Sequence, residues 1–195
     1  MDEHVNRLVQ QTLSGDEQAF EVIVQLYTKP LYSFVFLVVH ERDLAEDIVQ
    51  ETFIKAWKNL TRFDQKRHFK TWLYTIAKNS AFDAMKKKKA LPFSTFADQE
   101  GNLPFENMSD NSVEMLEVLS HEERLLVLDQ ALADLPVTYR TLLLLVYRED
   151  FDLKEAALIL NEPYNTVKSR HKRGIAQLQK MMLISHASKN GTESY

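Results

Sequence analysis

The sequence predicts an all-α protein of two small helical domains joined by an acidic linker, and three observations carry that prediction. Apolar residues recur at helical spacing in both halves, at Phe20, Ile23, Val24 and Tyr27 and again at Leu125, Leu128, Ala131, Leu132 and Leu135. Only four Gly and five Pro interrupt 195 residues that are otherwise rich in Leu, Ala, Lys, Glu and Gln, the types that lose least in a helix. From Ala90 to about Ser120 the periodicity lapses, and Pro92, Gly101 and Pro104 stand among Asp, Glu, Asn and Ser.

In chain order, Ser14-Gly-Asp-Glu17 reads as a capping box that opens the first helix. Pro30 starts a second, strongly apolar helix that runs to about His40. A third, Asp43 to Leu60, turns Val49, Phe53, Ala56, Trp57 and Leu60 inward and Asp47, Gln50, Glu51, Lys55 and Lys58 outward. A fourth begins at about His68, carries Trp72, Leu73, Ile76 and Ala77 as its apolar stripe, and runs toward Lys89 with a break near Asn79. Residues 1–89 thus form the first domain and 90–123 the linker. In the second domain, 124–184, a helix stops at Pro136, another runs from Tyr139 to Arg148, Asp152 caps a short helix to Leu160, and the last runs from about Asn165 to Ile184. Residues 185–195 are expected to be a disordered polar tail.

Composition removes several function classes. The chain has no cysteine, which excludes disulfides, thiolate metal sites and thiol redox switching within it. No basic segment followed by an apolar stretch opens the chain, and the longest apolar runs, Leu31 to Val39 and Leu142 to Tyr147, are too short to insert in a membrane. The four glycines are too scattered for a phosphate-cradling loop, and the histidines do not pair at metal-ligand spacing. Neither an enzyme nor a bound metal or cofactor is expected.

The net charge of −4 conceals a segregation. Residues 66–89 hold eight bases against Asp83 alone, residues 90–123 hold eight acids and no Lys or Arg, and residues 164–182 hold five bases and no acid. The second basic island lies in a helix-turn-helix layout, with Val167, Gly174, Ile175, Leu178 and Met182 on the packing side and the pairs Lys168/Lys172 and Ser169/Arg173 on open faces. Such a helix offers cations to phosphate and donors to base edges together. The first island interleaves Lys66, Arg67, Lys70 and Lys78 with Phe63, Phe69, Trp72, Tyr74 and Phe82. That composition fits a surface on which unpaired bases stack, and the same aromatics equally fit a helical core. The row Asp47, Gln50, Glu51 reads either as an ordinary solvent face or as a docking surface for a basic partner.

Asp43-Leu-Ala-Glu-Asp-Ile-Val-Gln-Glu-Thr-Phe-Ile-Lys-Ala-Trp57 and Phe69-Lys-Thr-Trp-Leu-Tyr-Thr-Ile-Ala-Lys-Asn79 resemble region two of extracytoplasmic-function sigma factors. Leu135-Pro-Val-Thr-Tyr-Arg140, Glu155-Ala-Ala157 and Thr166-Val-Lys-Ser-Arg170 resemble their region four, in the family's order and spacing. The resemblance implies a factor that binds RNA polymerase core and directs promoter-specific initiation in the cytoplasm. It implies that Asp47, Gln50 and Glu51 dock on the clamp helices of the largest subunit, and that the second domain meets the flap of the second-largest. It further implies that Phe63, Ile76 and Asn79 capture a flipped base of the minus-ten element, with Lys78, Lys86 and Lys87 on the adjacent backbone. Thr166, Lys168, Ser169, Arg170, Lys172 and Arg173 would read the minus-thirty-five element, and a membrane-bound anti-sigma factor would be a further partner. Asn165 stands where the family usually has Gly; Asn is a good N-cap and keeps the helix. The competing reading, a free-standing helix-turn-helix regulator, leaves the first domain and the acidic linker without a role.

Overall fold

The computed structural model describes the backbone of residues 2–89 and 120–190, with side chains for 3–88 and 120–184. Most of the expected linker and the last five residues lie outside these. The described residues form α1 (Asp2–Leu13), α2 (Glu17–Val39), α3 (Arg42–Asn59), a 3-10 turn (Leu60–Arg62), α4 (Phe69–Lys89), α5 (His121–Asp134), α6 (Val137–Tyr147), α7 (Leu153–Leu160) and α8 (Tyr164–Asn190), with no strand among them.

Helix α1 precedes Ser14-Gly-Asp-Glu17, where the first helix was expected to open. Val5, Leu8, Val9 and Thr12 give it a buried face, and Gly15, at φ 101°, makes the turn that other residues resist. The cap of α2 is Asp16 and not Ser14: its Oδ1 accepts from the backbone N–H of Gln18 at 3.0 Å and Ala19 at 3.3 Å. Ser14 instead donates its hydroxyl back to the Gln10 carbonyl.

The two helices expected around Pro30 are one, because α2 passes through the proline. Pro30 removes one intrahelical hydrogen bond, at a cost of roughly 3 kcal/mol in a helix interior. Burial of Tyr27, Leu31, Phe34, Val35 and Val38 on either side offsets it, at about 1.5 to 3 kcal/mol for each fully buried side chain. By length and composition α2 could cross a membrane, yet its buried face forms the core of the first unit.

Two further expectations change in this unit. Trp57 is not inward; it is 43% exposed, with its ring edge-on to Phe20 at 4.9 Å. Helix α4 does not break at Asn79, because Ala77, Ser80 and Ala81 are all buried around it. Tertiary packing on both flanking turns overrides the weak helix preference of one Asn.

The second unit begins inside the expected linker. Ser120 and Glu123 form a reciprocal capping box, so α5 starts at His121. Its C-terminal carbonyls are met by Arg140 of α6, whose Nη1 reaches Ala133 O at 2.7 Å and Leu132 O at 3.3 Å. The Nη2 of the same guanidinium donates to Val38 O, in the last turn of α2, at 2.7 Å. A cation at the ends of two helices complements both dipoles and satisfies carbonyls that have no intrahelical donor. A second capping box, Asp152 with Glu155, opens α7, and α8 continues to Asn190, beyond the expected end at Ile184.

The two units also pack on each other, α4 along α7 and α2 along α6. Leu142, Leu145, Phe151 and Ile159 join Phe34, Leu73 and Tyr74 in one continuous core.

Candidate polymerase and nucleic-acid interfaces

Helix α3 presents an outward row. Asp47, Gln50 and Glu51 are exposed, and Glu51 pairs with Lys55 at 2.9 Å. Ile54 lies on the same stripe, seven residues after Asp47, and is 52% exposed. The sequence reading passed over it, although an apolar residue in the middle of a polar stripe is itself a sign of a contact surface.

Helix α4 carries the first basic island. Phe63, Phe69 and Trp72 form a ring cluster with centroids 5.0 to 5.6 Å apart. Phe63 is 7% exposed and packs against Phe69 and Trp72. Ile76 is half-buried and Asn79 exposed. Lys78 is only 7% exposed, donates to Asn79 Oδ1 at 2.7 Å, and lies 5.6 Å from the Phe82 ring centre. Because an ammonium has only donors, it holds the amide oxygen of Asn79 and leaves the NH2 outward. Lys86 is half-buried and Lys87 exposed further along the same helix.

Helix α8 follows a turn set by Asn161, which closes α7 in the left-handed region at φ 56°. The helix opens at Tyr164, one residue before the expected start, with the N–H of Val167 donating to Pro163 O. Lys168, Ser169 and Lys172 are exposed, while Thr166 and Arg173 are half-buried. Arg170 departs from expectation. It is 4% exposed, and its Nη1 meets a Glu162 oxygen at 2.5 Å, a close charge contact whose angle is not that of an aligned hydrogen bond. It therefore ties α8 to the turn that precedes it.

On the open side of α8, His171 stacks on Tyr147 at 5.6 Å with its Nε2 3.1 Å from the phenol oxygen. Partial burial holds the imidazole below its usual pKa. Gly174 lets α8 close on α6: a Cβ there would stand 3.2 Å from Tyr139 Cδ1. Among the described residues no cluster of metal-ligating side chains forms.

Two family models match the chain, Sigma-70 region 2 over residues 23–91 and Sigma-70, region 4 over residues 125–178. The ECF RNA polymerase sigma factor SigW of Bacillus subtilis is 34% identical over 184 residues, 93% of this chain and 98% of that protein. The chain is an ECF sigma factor. As such it binds RNA polymerase and directs promoter-specific initiation, and the free-standing regulator is not favoured.

The RNA polymerase sigma-H factor of Pseudomonas aeruginosa is 30% identical to this sigma factor over 86% of its chain and 88% of that protein. Among solved structures, RpoE in complex with the anti-sigma factor NepR from Bartonella quintana matches with TM-score 0.61 and 25% identity over 84% of this chain and 96% of that one. CnrH in complex with the cytosolic domain of CnrY matches with TM-score 0.60 and 22% identity over 92% and 97%, a likeness of fold.

Proposed function

We propose that this sigma factor meets the clamp helices of the polymerase's largest subunit through Asp47, Gln50, Ile54 and Glu51, an exposed acidic stripe with one apolar residue in it. That stripe is the observation that carries the assignment, since an ordinary solvent face has no reason to expose Ile54 to 52%. Ile76 and Asn79, with Lys78, Lys86 and Lys87, take the minus-ten strand on α4. Thr166, Lys168, Ser169, Lys172 and Arg173 take the minus-thirty-five duplex on α8, with the second unit near the flap of the second-largest subunit. The factor works by binding alone, without a catalytic step, in the cytoplasm where polymerase and DNA are. An anti-sigma factor, as RpoE has in NepR, regulates it.

The decisive test is Asp47→Lys with Glu51→Lys in a core-binding titration. Affinity for purified core enzyme should fall by about tenfold or more with helicity unchanged, because two rim attractions become repulsions. Unchanged core affinity rules out the stripe.

A further inference from the structure

The apolar helix α6 ends on its most exposed side chain. Leu142 to Leu145 are buried, while Tyr147, the last residue, is 63% exposed. Its ring is held all the same: it stacks on His171 of α8 with 20° between the planes, and its hydroxyl lies 3.1 Å from the imidazole Nε2. Arg148, the next residue, donates to Ser33 of α2 instead, so α6 brings a phenol and not a guanidinium to this flank of α8. An aromatic that is ordered and yet left in water is prepared for contact, because few torsions remain to be fixed when something binds.

Position decides what the ring can meet. His171 follows Lys168 by three residues, which sets it about 60° round α8 from that lysine. The exposed Lys168, Ser169 and Lys172 mark the open face, so His171 and Tyr147 lie at its margin. A helix with its side chains is about 10 to 12 Å across and the major groove about 12 Å wide, so a helix seated there fills the groove and turns its margins to the sugar-phosphate walls. Phosphate oxygens accept hydrogen bonds, and the pair has a donor for them. Partial burial holds the imidazole below its usual pKa and so keeps it neutral near pH 7. The neutral ring, donating from Nε2 to the phenol oxygen, leaves the phenol O–H free to turn outward.

We infer that the Tyr147 hydroxyl binds a backbone phosphate of the minus-thirty-five duplex, with His171 as the residue that positions it. The inference deepens the assignment of that duplex to α8 and rests on it. Tyr147 belongs to α6, outside the recognition helix, and its contact carries no sequence information; it fixes how α8 sits in the groove.

The test uses holoenzyme and a fluorescein-labelled promoter duplex. Tyr147→Phe keeps the ring and its stack and removes the hydroxyl. It should bind about fivefold to tenfold more weakly whatever the minus-thirty-five sequence, the scale of one hydrogen bond to a charged acceptor at a solvated site. Duplexes in which one phosphate at a time is replaced by an uncharged methylphosphonate should reveal one position where the parent loses affinity and Tyr147→Phe loses none further. His171→Phe, which keeps a stacking ring without Nε2, should lose part of the effect at that same phosphate. Parent-like affinity of Tyr147→Phe overturns the inference, and so does a loss that adds equally to every methylphosphonate. A full effect at that phosphate in His171→Phe overturns the positioning role. If Lys168→Ala with Lys172→Ala leaves affinity and its dependence on the minus-thirty-five sequence unchanged, the α8 assignment beneath fails, a result separate from any obtained at Tyr147.

Discussion

Arg170 and Glu162 form a charge pair in the turn that leads into α8, so the middle base of Lys168-Ser-Arg-His-Lys172 is held inside the fold while Lys168 and Lys172 stay exposed. Removing one member of a buried pair leaves the other uncompensated. Arg170→Ala should destabilise the second unit by about 3 kcal/mol, and the double change with Glu162→Ala should recover part of it. Thermal melts of the four members of the cycle check this, and a strictly additive pair would refute the coupling.

Lys168→Ala and Lys172→Ala should leave the melting temperature unchanged and weaken the minus-thirty-five interaction. A base contact gives a loss of about 1 to 3 kcal/mol that depends on the sequence, and a phosphate contact gives a uniform loss with a shallower salt slope. Titrations of holoenzyme against variant promoters separate the two.

The unbroken α4 sharpens the test at Asn79. An exposed Asn inside a helix caps nothing, so Asn79→Ala gains up to about 0.7 kcal/mol of helix preference and loses the oxygen that accepts from Lys78, leaving stability within about 1 kcal/mol of the parent. Any transcription defect then belongs to the amide itself. The measurement compares duplex templates with templates pre-melted across the start site: a base-specific defect that persists after melting marks base reading, and an equal defect at every base removes Asn79 from it.

Arg140→Met should cost about 3 kcal/mol, because carbonyls at the ends of α2 and α5 lose their donor inside the protein. Arg140→Lys should recover only part, since one ammonium does not span the positions that a guanidinium fork reaches. Denaturant titration of the three proteins reads this directly.

Burial raises the pKa of Glu149 above the usual carboxylate value, while Tyr74, Lys70 and Arg148 pull it down and Asp150 pushes it up. A carboxyl whose folded pKa is raised stabilises the folded contact below its unfolded pKa, and that contribution fades as pH rises through the folded one. The α4–α7 contact should therefore be tighter at about pH 5 than at about pH 8, with Glu149→Gln flattening the difference. Fluorescence transfer between labels on α4 and α7 would follow it, and an identical profile for parent and variant would exclude Glu149 as the source.

What could be read in the sequence was what depends on spacing. The helical period marked most of the helices, and the acid-free run of residues 164–182 marked the recognition helix. What escaped depends on tertiary partners. Periodicity at Val5, Leu8, Val9 and Thr12 was present, but residues 2–13 are short and rich in polar residues. Pro30 reads as a helix start because local rules give no weight to the burial around it. Arg170 has the same side chain as a phosphate-binding residue and is distinguished by Glu162, eight positions away. The merging of the two units leaves no periodic trace, since the residues that join them are ordinary core residues of their own helices.

Gly174 lies ten residues into a helix of 27, a rod about 40 Å long. One arm of the rod carries the exposed Lys168, Ser169 and Lys172, and the other packs on α5, the first described helix after residue 119. Between them the bare backbone rests against Tyr139, so the glycine is a fulcrum. A tilt of α5 would be carried along this rod to the arm that bears Lys168 and Lys172.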